Sequence, residues 1–119
     1  MIHLTLIGKP LSTSHIYKTL CRKNFSTFYL IKEGKELKES YGWQIKNQYK
    51  EEPIKEDIDV VEIHLYFPNK LRRDVDNYNK LILDSANGIL WKDDSLIQEL
   101  RIRKHLDPKN PRVELIIKK

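Results

Sequence analysis

Residues 58–67 read Ile-Asp-Val-Val-Glu-Ile-His-Leu-Tyr-Phe, and from Val60 onward they alternate without a break. Val61, Ile63, Leu65 and Phe67 fall on one side, and Val60, Glu62, His64 and Tyr66 on the other. A side-chain period of two belongs to extended backbone, because successive Cβ atoms point to opposite faces. The β-branched and aromatic content fits a strand with one face buried, and Pro68 followed by Asn69-Lys70 ends it. A chain holding such a strand must build a sheet around it and cover one face.

The rest of the chain supplies the other layers. Ile2, Leu4 and Leu6 alternate with His3 and Thr5, which predicts a first strand over 2–7 that stops at Gly8-Lys9-Pro10. Leu11 to Leu30, rich in Ser/Thr, basic and aromatic residues without clean periodicity, reads as a long loop or lid. From Lys32 to about Glu51, Leu37, Tyr41, Ile45 and Tyr49 make one apolar stripe among lysines and glutamates, the mark of an amphipathic surface helix. A second helix is predicted from Asn77 to about Asn87. Tyr78, Leu81, Ile82 and Ser85 form its inner face, Lys80 and Asp84 its polar face, and Gly88 suits the left-handed position after it. Strands follow at 98–106, with Leu100, Ile102 and Leu106 inward and Glu99, Arg101, Arg103 and His105 outward, and at 112–118, with Val113, Leu115 and Ile117 inward. The expectation is a single α+β domain over residues 1–119, a small mixed β-sheet with helices packed on it, in the order β-α-β-α-β-β.

Composition narrows the function. At 119 residues with 39% hydrophobic and 33% charged side chains, and no apolar run long enough to span a bilayer, the chain reads as a soluble globular protein. Its first residues lack the basic start of a signal peptide, so a cytoplasmic location is expected, with no membrane partner. The lone Cys21 has no second thiol to pair with and reads as inert, and His3, His15, His64 and His105 lack metal-ligand spacing and read as structural or surface residues. Net charge is +5 and unevenly spread: residues 1–29 carry Lys9, Lys18, Arg22 and Lys23 without an acid, whereas residues 30–59 are acidic on balance. Segregated positive charge is what a polyanion binder needs, because counterion release from phosphates drives non-specific nucleic-acid affinity.

Against that background the stretch Arg72-Arg73-Asp74-Val75-Asp76-Asn77-Tyr78-Asn79-Lys80 stands out, since it sets acids among bases. In extended backbone Asp74 and Asp76 point the same way, and Asp93-Asp94 lies just beyond the following helix. Carboxylates on loops at the ends of packed elements suit a hard cation such as Mg²⁺, which keeps waters and a substrate phosphate as its other ligands. A plainer reading makes Asp76 a helix N-cap, Asp93-Asp94 turn residues or the cap of a short helix over 95–98, and Lys80 a salt-bridge partner of Asp76 or Asp84. That reading leaves Asp74 and the neighbouring arginines unexplained.

The segment from Arg72 to Ile97, RRDVDNYNKLILDSANGILWKDDSLI, resembles the signature of the RusA-type Holliday junction resolvases, small phage-derived and bacterial endonucleases. A basic pair leads into Asp-x-Asp-Asn, a lysine follows four residues after the second aspartate, another aspartate lies on the helix, and Gly and then Asp-Asp come after it. Two positions depart from the pattern: Ser14 stands where the family commonly has Asn, and Ser95-Leu96 follows Asp-Asp where x-Gln is frequent. The resemblance implies an α/β homodimer that binds four-way DNA junctions and nicks two strands symmetrically with a divalent metal. Carried over by position, it makes Asp74, Asp76 and Asp94 the catalytic metal ligands, with Asp93 beside them, Lys80 the catalytic lysine and Arg73 a DNA contact. The cofactor expected is Mg²⁺, with Mn²⁺ as a substitute, and no small-molecule cofactor.

Carboxylate neighbours favour a charged lysine, so Lys80 is expected to stabilise charge electrostatically rather than act as a base. Lys70, Arg72, Arg73, Arg101, Arg103 and Lys104 are candidates to grip backbone phosphates. Tyr17, Phe25, Phe28 and Tyr29 either stack on unpaired bases or belong to the core. Two other readings compete: a non-catalytic nucleic-acid-binding module, and an aspartyl phosphatase. The second places Asp-x-Asp directly off an apolar strand, whereas Asn69 to Arg73 intervene here.

Overall fold

The structure, a computed structural model, describes the backbone of residues 1–22 and 25–119 and the side chains outside residues 19–28. Strand β1 (Ile2–Ile7) leads into a short helix α1 (Thr13–Ile16), the strands β2 (Tyr17–Arg22) and β3 (Phe25–Leu30), and the long helix α2 (Lys32–Gln48). Then come β4 (Ile58–Phe67), a 3₁₀ turn at Val75–Asn77, α3 (Asn79–Ala86), a second 3₁₀ turn at Asp94–Leu96, β5 (Ile97–Leu106) and β6 (Arg112–Lys118). One sheet runs β1-β6-β4-β5, and β2 and β3 form a separate two-stranded sheet. The domain is α+β, and its main sheet is mixed: β4 lies antiparallel to β6 and parallel to β5.

The alternation seen in residues 58–67 is the burial pattern of β4, with Val61, Ile63, Leu65 and Phe67 at 2% exposure or less. Leu4 and Leu6 of β1 and Val113, Leu115 and Ile117 of β6 extend the apolar face, and Tyr41 and Ile45 of α2 with Leu81, Ile82 and Ala86 of α3 cover it. After α3, Gly88 takes φ +82°, as a left-handed cap should, and its N–H donates to the carbonyl of Trp91. That turn seats Trp91 in the core, where its indole N–H finds the side-chain oxygen of Asn87 at 2.8 Å.

Four expectations need correction. Residues 11–30 are not an irregular lid: α1 and the antiparallel pair β2–β3 occupy them, with Tyr17 opposite Leu30. The unit docks on α2 through a glycine. A Cβ on Gly34 would lie 2.9 Å from Ile16 Cβ and Leu30 Cδ2, so only glycine allows this approach. Helix α3 begins at Asn79 rather than Asn77 because a 3₁₀ turn takes the preceding residues, and α2 stops at Gln48, where Tyr49 turns extended. Leu106, expected inward, is 47% exposed as the last residue of β5, an edge strand. The side chains of Cys21, Phe25 and Phe28 lie outside the described residues.

The opposite edge strand, β1, is closed from the side. Gln48 accepts from the Thr5 N–H at 2.9 Å and donates to the Thr5 carbonyl at 2.7 Å, and Gln44 bonds both backbone groups of Ile7 in the same way. Two amides one helical turn apart on α2 thus act as a substitute strand, which blocks edge-to-edge association at β1.

The sheet face away from the helices carries a polar chain. Lys118 bonds Glu62, Glu62 bonds His64 Nε2, and His64 Nδ1 meets His105 Nε2 at 2.8 Å, so two of the four histidines are in contact. His105 stacks on Tyr66, and Arg112 lies over the other residue of that stack at 3.7 Å while pairing with Glu114 and Asp107. Hydrogen bonds from Lys118 and His64 pull Glu62 down to about 2, and burial, then His64, holds His105 below the ordinary histidine range.

These shifts fix the pH response. His105 stays neutral in the fold, so its contribution is present above about 6.5 and is lost as pH falls through its lowered value. The contribution of Glu62 is present above about 4.5 and is lost on approach to about 2. Thermal melting should therefore show a plateau near neutrality and a decline in two stages on acidification, and His105→Gln should remove the first stage. Gly34→Ala should cost about 1–3 kcal/mol and raise hydrogen exchange in β2–β3 more than in β4–β6, read by mass spectrometry.

Candidate functional site

The segment between β4 and α3 is anchored at several points. The Asn69 side chain accepts from the Leu71 N–H at 3.2 Å, and the Arg73 guanidinium lies 4.3 Å from the Phe67 ring centre while donating to the carbonyls of Asn69 and Leu71. Lys104 of β5 donates to the Arg73 carbonyl at 2.6 Å. Arg73, expected as a DNA contact, therefore also shapes this loop. Arg72 and Lys70 project into solvent.

Asp74 and Asp76 follow on this framework. Asp74 is extended, but Asp76 lies inside the 3₁₀ turn, so the wholly extended backbone expected for the pair is absent. Both are exposed, and among the described residues neither carboxylate has a hydrogen-bond or ion-pair partner. Asp76 caps no helix: the residue before α3 is Tyr78, whose ring is buried edge-on against Phe67 at 5.1 Å. The neighbouring Asn77 works at longer range. Its Oδ1 accepts from the Ser14 N–H at 3.2 Å and its Nδ2 donates to Ser14 Oγ at 3.1 Å, which ties α1 to the acidic turn.

Lys80, the second residue of α3, pairs with Asp84 at 3.3 Å. The same Asp84 oxygen accepts from the Tyr17 hydroxyl at 2.8 Å, and the lysine nitrogen lies 4.9 Å from the Tyr17 ring centre. Burial, with the Asp84 bond second, pushes the Tyr17 hydroxyl well above its usual range, so it remains a donor. The salt-bridge alternative for Lys80 is thus what the structure contains, and it also fixes where this ammonium stands. Tyr17 serves here as a clamp on Lys80 and Asp84, and Tyr29 is 48% exposed.

Asp93 and Asp94 sit elsewhere. Asp93 caps the second 3₁₀ turn by accepting from the Ser95 N–H at 3.1 Å, and that bonding lowers its carboxyl from the usual range. Asp94 opens the turn that leads into Ile97, the first residue of β5, whereas the Asp74 loop meets β5 at Lys104. Seven residues of strand separate those two points, about 23 Å of extended chain. Among the described residues no three His, Cys, Asp or Glu side chains gather to hold a metal ion. One chain therefore brings Asp74 and Asp76 onto one turn and does not bring Asp94 to them.

The basic row on β5 is divided. Arg101 pairs closely with Glu99 and stands 4.0 Å from Glu62, so its charge is offset, and Arg103 is exposed. Sequence reasoning missed Ser14, Tyr17 and Asn77 as organisers of the site. Their partners lie 63 and 67 residues away, and no local pattern signals such pairs.

An exposed carboxylate pair thus stands in a basic loop at the end of a mixed sheet, with a clamped lysine one helical turn on. The chain belongs to the RusA endodeoxyribonuclease family: residues 8–118 match the family described as Endodeoxyribonuclease RusA. It is also similar to the uncharacterized protein YqaN of Bacillus subtilis (strain 168), with 42% identity over 45 residues. That stretch is 38% of this chain and 31% of YqaN, so the match spans about a third of the curated relative's length.

Removing the Tyr17 hydroxyl tests the clamp directly. Tyr17→Phe keeps the ring, and should cost about 1 kcal/mol and raise amide exchange over residues 13–17 while the main sheet keeps its protection.

Proposed function

We propose that this protein is a metal-dependent, structure-specific endodeoxyribonuclease that acts as a homodimer and resolves Holliday junctions by paired symmetric nicks. The observation that carries the reading is the unpartnered pair Asp74 and Asp76, exposed in a basic loop of a chain that belongs to this family.

Two exposed carboxylates suit Mg²⁺, or Mn²⁺ in its place, because a small hard cation takes one or two carboxylates and completes its shell with water and substrate phosphate. Asp74 and Asp76 would hold it, and a bound cation supplies Lewis-acid charge for a phosphoryl oxygen and an acidified water. The chain's own groups do the remainder. Lys80, held by Asp84 and Tyr17, offers a fixed positive charge to the anionic transition state without reorganising. Arg72, Lys70 and Arg103 lie exposed to bind backbone phosphates, which orients the duplex without reading bases. Asn77 registers α1 and the β2–β3 unit against the acidic turn.

Asp94 joins Asp74 and Asp76 only from a second copy, since within one chain β5 carries it to the other end of the sheet. A twofold dimer also answers the need for two matched nicks. A non-catalytic nucleic-acid-binding module is the reading to set against this one, and it is favoured by the incomplete acid set among the described residues of the single chain.

A synthetic four-way junction incubated with Mg²⁺, and with EDTA as control, separates the two. Paired nicks at symmetric positions are expected, and binding without cutting in several divalent ions would refute the nuclease. Asp76→Asn should bind the junction and cut at least about 100-fold more slowly, and Lys80→Ala should slow cutting with metal affinity largely kept. Mixing Asp76→Asn with Asp94→Asn protein should restore about a quarter of the nicking, the share of intact sites in randomly paired twofold dimers. No recovery, in a mixture shown to exchange subunits, would place Asp94 outside a shared site.

A further inference from the structure

At the carboxyl ends of the parallel strands β4 and β5 lies a cavity of about 280 Å³, lined by Phe67, Asn69, Lys70, Leu71, Arg73, Lys104, His105 and Leu106. Open α/β sheets place ligands at this end of their strands. Two features separate this cavity from ordinary surface relief. Leu71 and Leu106 are 68% and 47% exposed, and both border the same hollow, so two large apolar side chains stand in water where neither covers the core. Around them the charged lining groups are Lys70, Arg73 and Lys104, with no carboxylate among the lining residues.

Apolar walls with a purely cationic rim match one chemical class, a nucleotide with an aromatic base and a phosphate on either side. The Arg73 guanidinium, stacked on Phe67 at 4.3 Å, adds a flat charged surface of the kind on which bases stack. The lining continues through Arg73 into Asp74, so an occupant here would sit next to the acidic turn. A fully paired duplex buries both faces of each base and leaves none to fill such a hollow. In an opened junction the pairs at the branch point stack on one side only, so extruding a base there costs less than in a continuous duplex.

We propose that this cavity seats one unstacked nucleobase of the junction strand beside the linkage that is cut, with Leu71 and Leu106 as its apolar walls and Lys70 and Lys104 on the flanking phosphates. This rests on the nuclease reading and adds to it a reason for structure selectivity. A four-way junction can fill the seat and an intact duplex cannot.

The experiment uses junctions carrying 2-aminopurine at successive positions around the mapped nick, bound by Asp76→Asn protein so that no cutting intervenes. Fluorescence should rise severalfold at one position, and the combined change Leu71→Ser with Leu106→Ser should abolish that rise. The same pair of changes in the otherwise wild-type chain should slow junction nicking by about tenfold. Both leucines are exposed, and an unchanged melting temperature verifies that the variant folds. Junctions that are bound and cut with no fluorescent position, or with a rise indifferent to the two leucines, would overturn the base seat and leave the nuclease intact. Failure to bind any junction would overturn both.

Discussion

Two parallel strands cannot be joined by a tight turn, and the pairing of β4 with β5 is what organises this molecule. The chain leaving Phe67 must return the length of the sheet before β5 begins, and α3 is that return. Everything at the start of α3 therefore gathers at one end of the sheet, namely the loop of Lys70 to Arg73, the carboxylates of Asp74 and Asp76, and Lys80. Everything after it, including Asp93 and Asp94, gathers at the other. Burial of the β4 face beneath α2 and α3 makes that arrangement rigid, since a slip by one residue would turn Val61, Ile63, Leu65 and Phe67 to solvent. The division of the acids between two ends is thus a consequence of topology.

Among the described residues, the contacts that attach α1, β2 and β3 to this frame converge on the site. Gly34 permits close packing of Ile16 and Leu30 on α2, Asn77 bonds Ser14 at both ends of its amide, and Asp84 receives Tyr17. The Ser14 hydroxyl and backbone N–H both bond the Asn77 amide, which links α1 to the acidic turn. Asp84 is central because one carboxylate holds both Lys80 and Tyr17, so helix and hairpin cannot move apart without loosening the lysine.

Charge is distributed by a similar logic. Arg101, Arg112, Lys118 and Lys80 are each matched by an acid, whereas Asp74 and Asp76 have no partner among the described residues. Exposed ion pairs contribute little to stability. Asp74 and Asp76 have not even that support among the described residues. The polar chain from Lys118 through Glu62 and His64 to His105 shows the contrast, since nearly every atom there is satisfied within the fold.

What could be read in advance followed from periodicity and from residue type. Alternation in β4 and β6, the stripe of Tyr41 and Ile45 on α2, the glycine turn after α3 and the D-x-D-N motif are all local, because each reflects backbone geometry acting within a few residues. The hairpin of β2 and β3 was not legible, because its sequence has no clean period and the close approach of Ile16 and Leu30 to Gly34 joins residues of separate elements. The roles of Ser14, Tyr17 and Asn77 and the meeting of His64 with His105 were hidden for the same reason. The amino-acid order determined which groups exist and which face of each element is apolar. Only the tertiary structure decided which of them meet, because contacts between residues dozens of positions apart are set by how the sheet orders its strands, and that order also placed Asp94 away from Asp74.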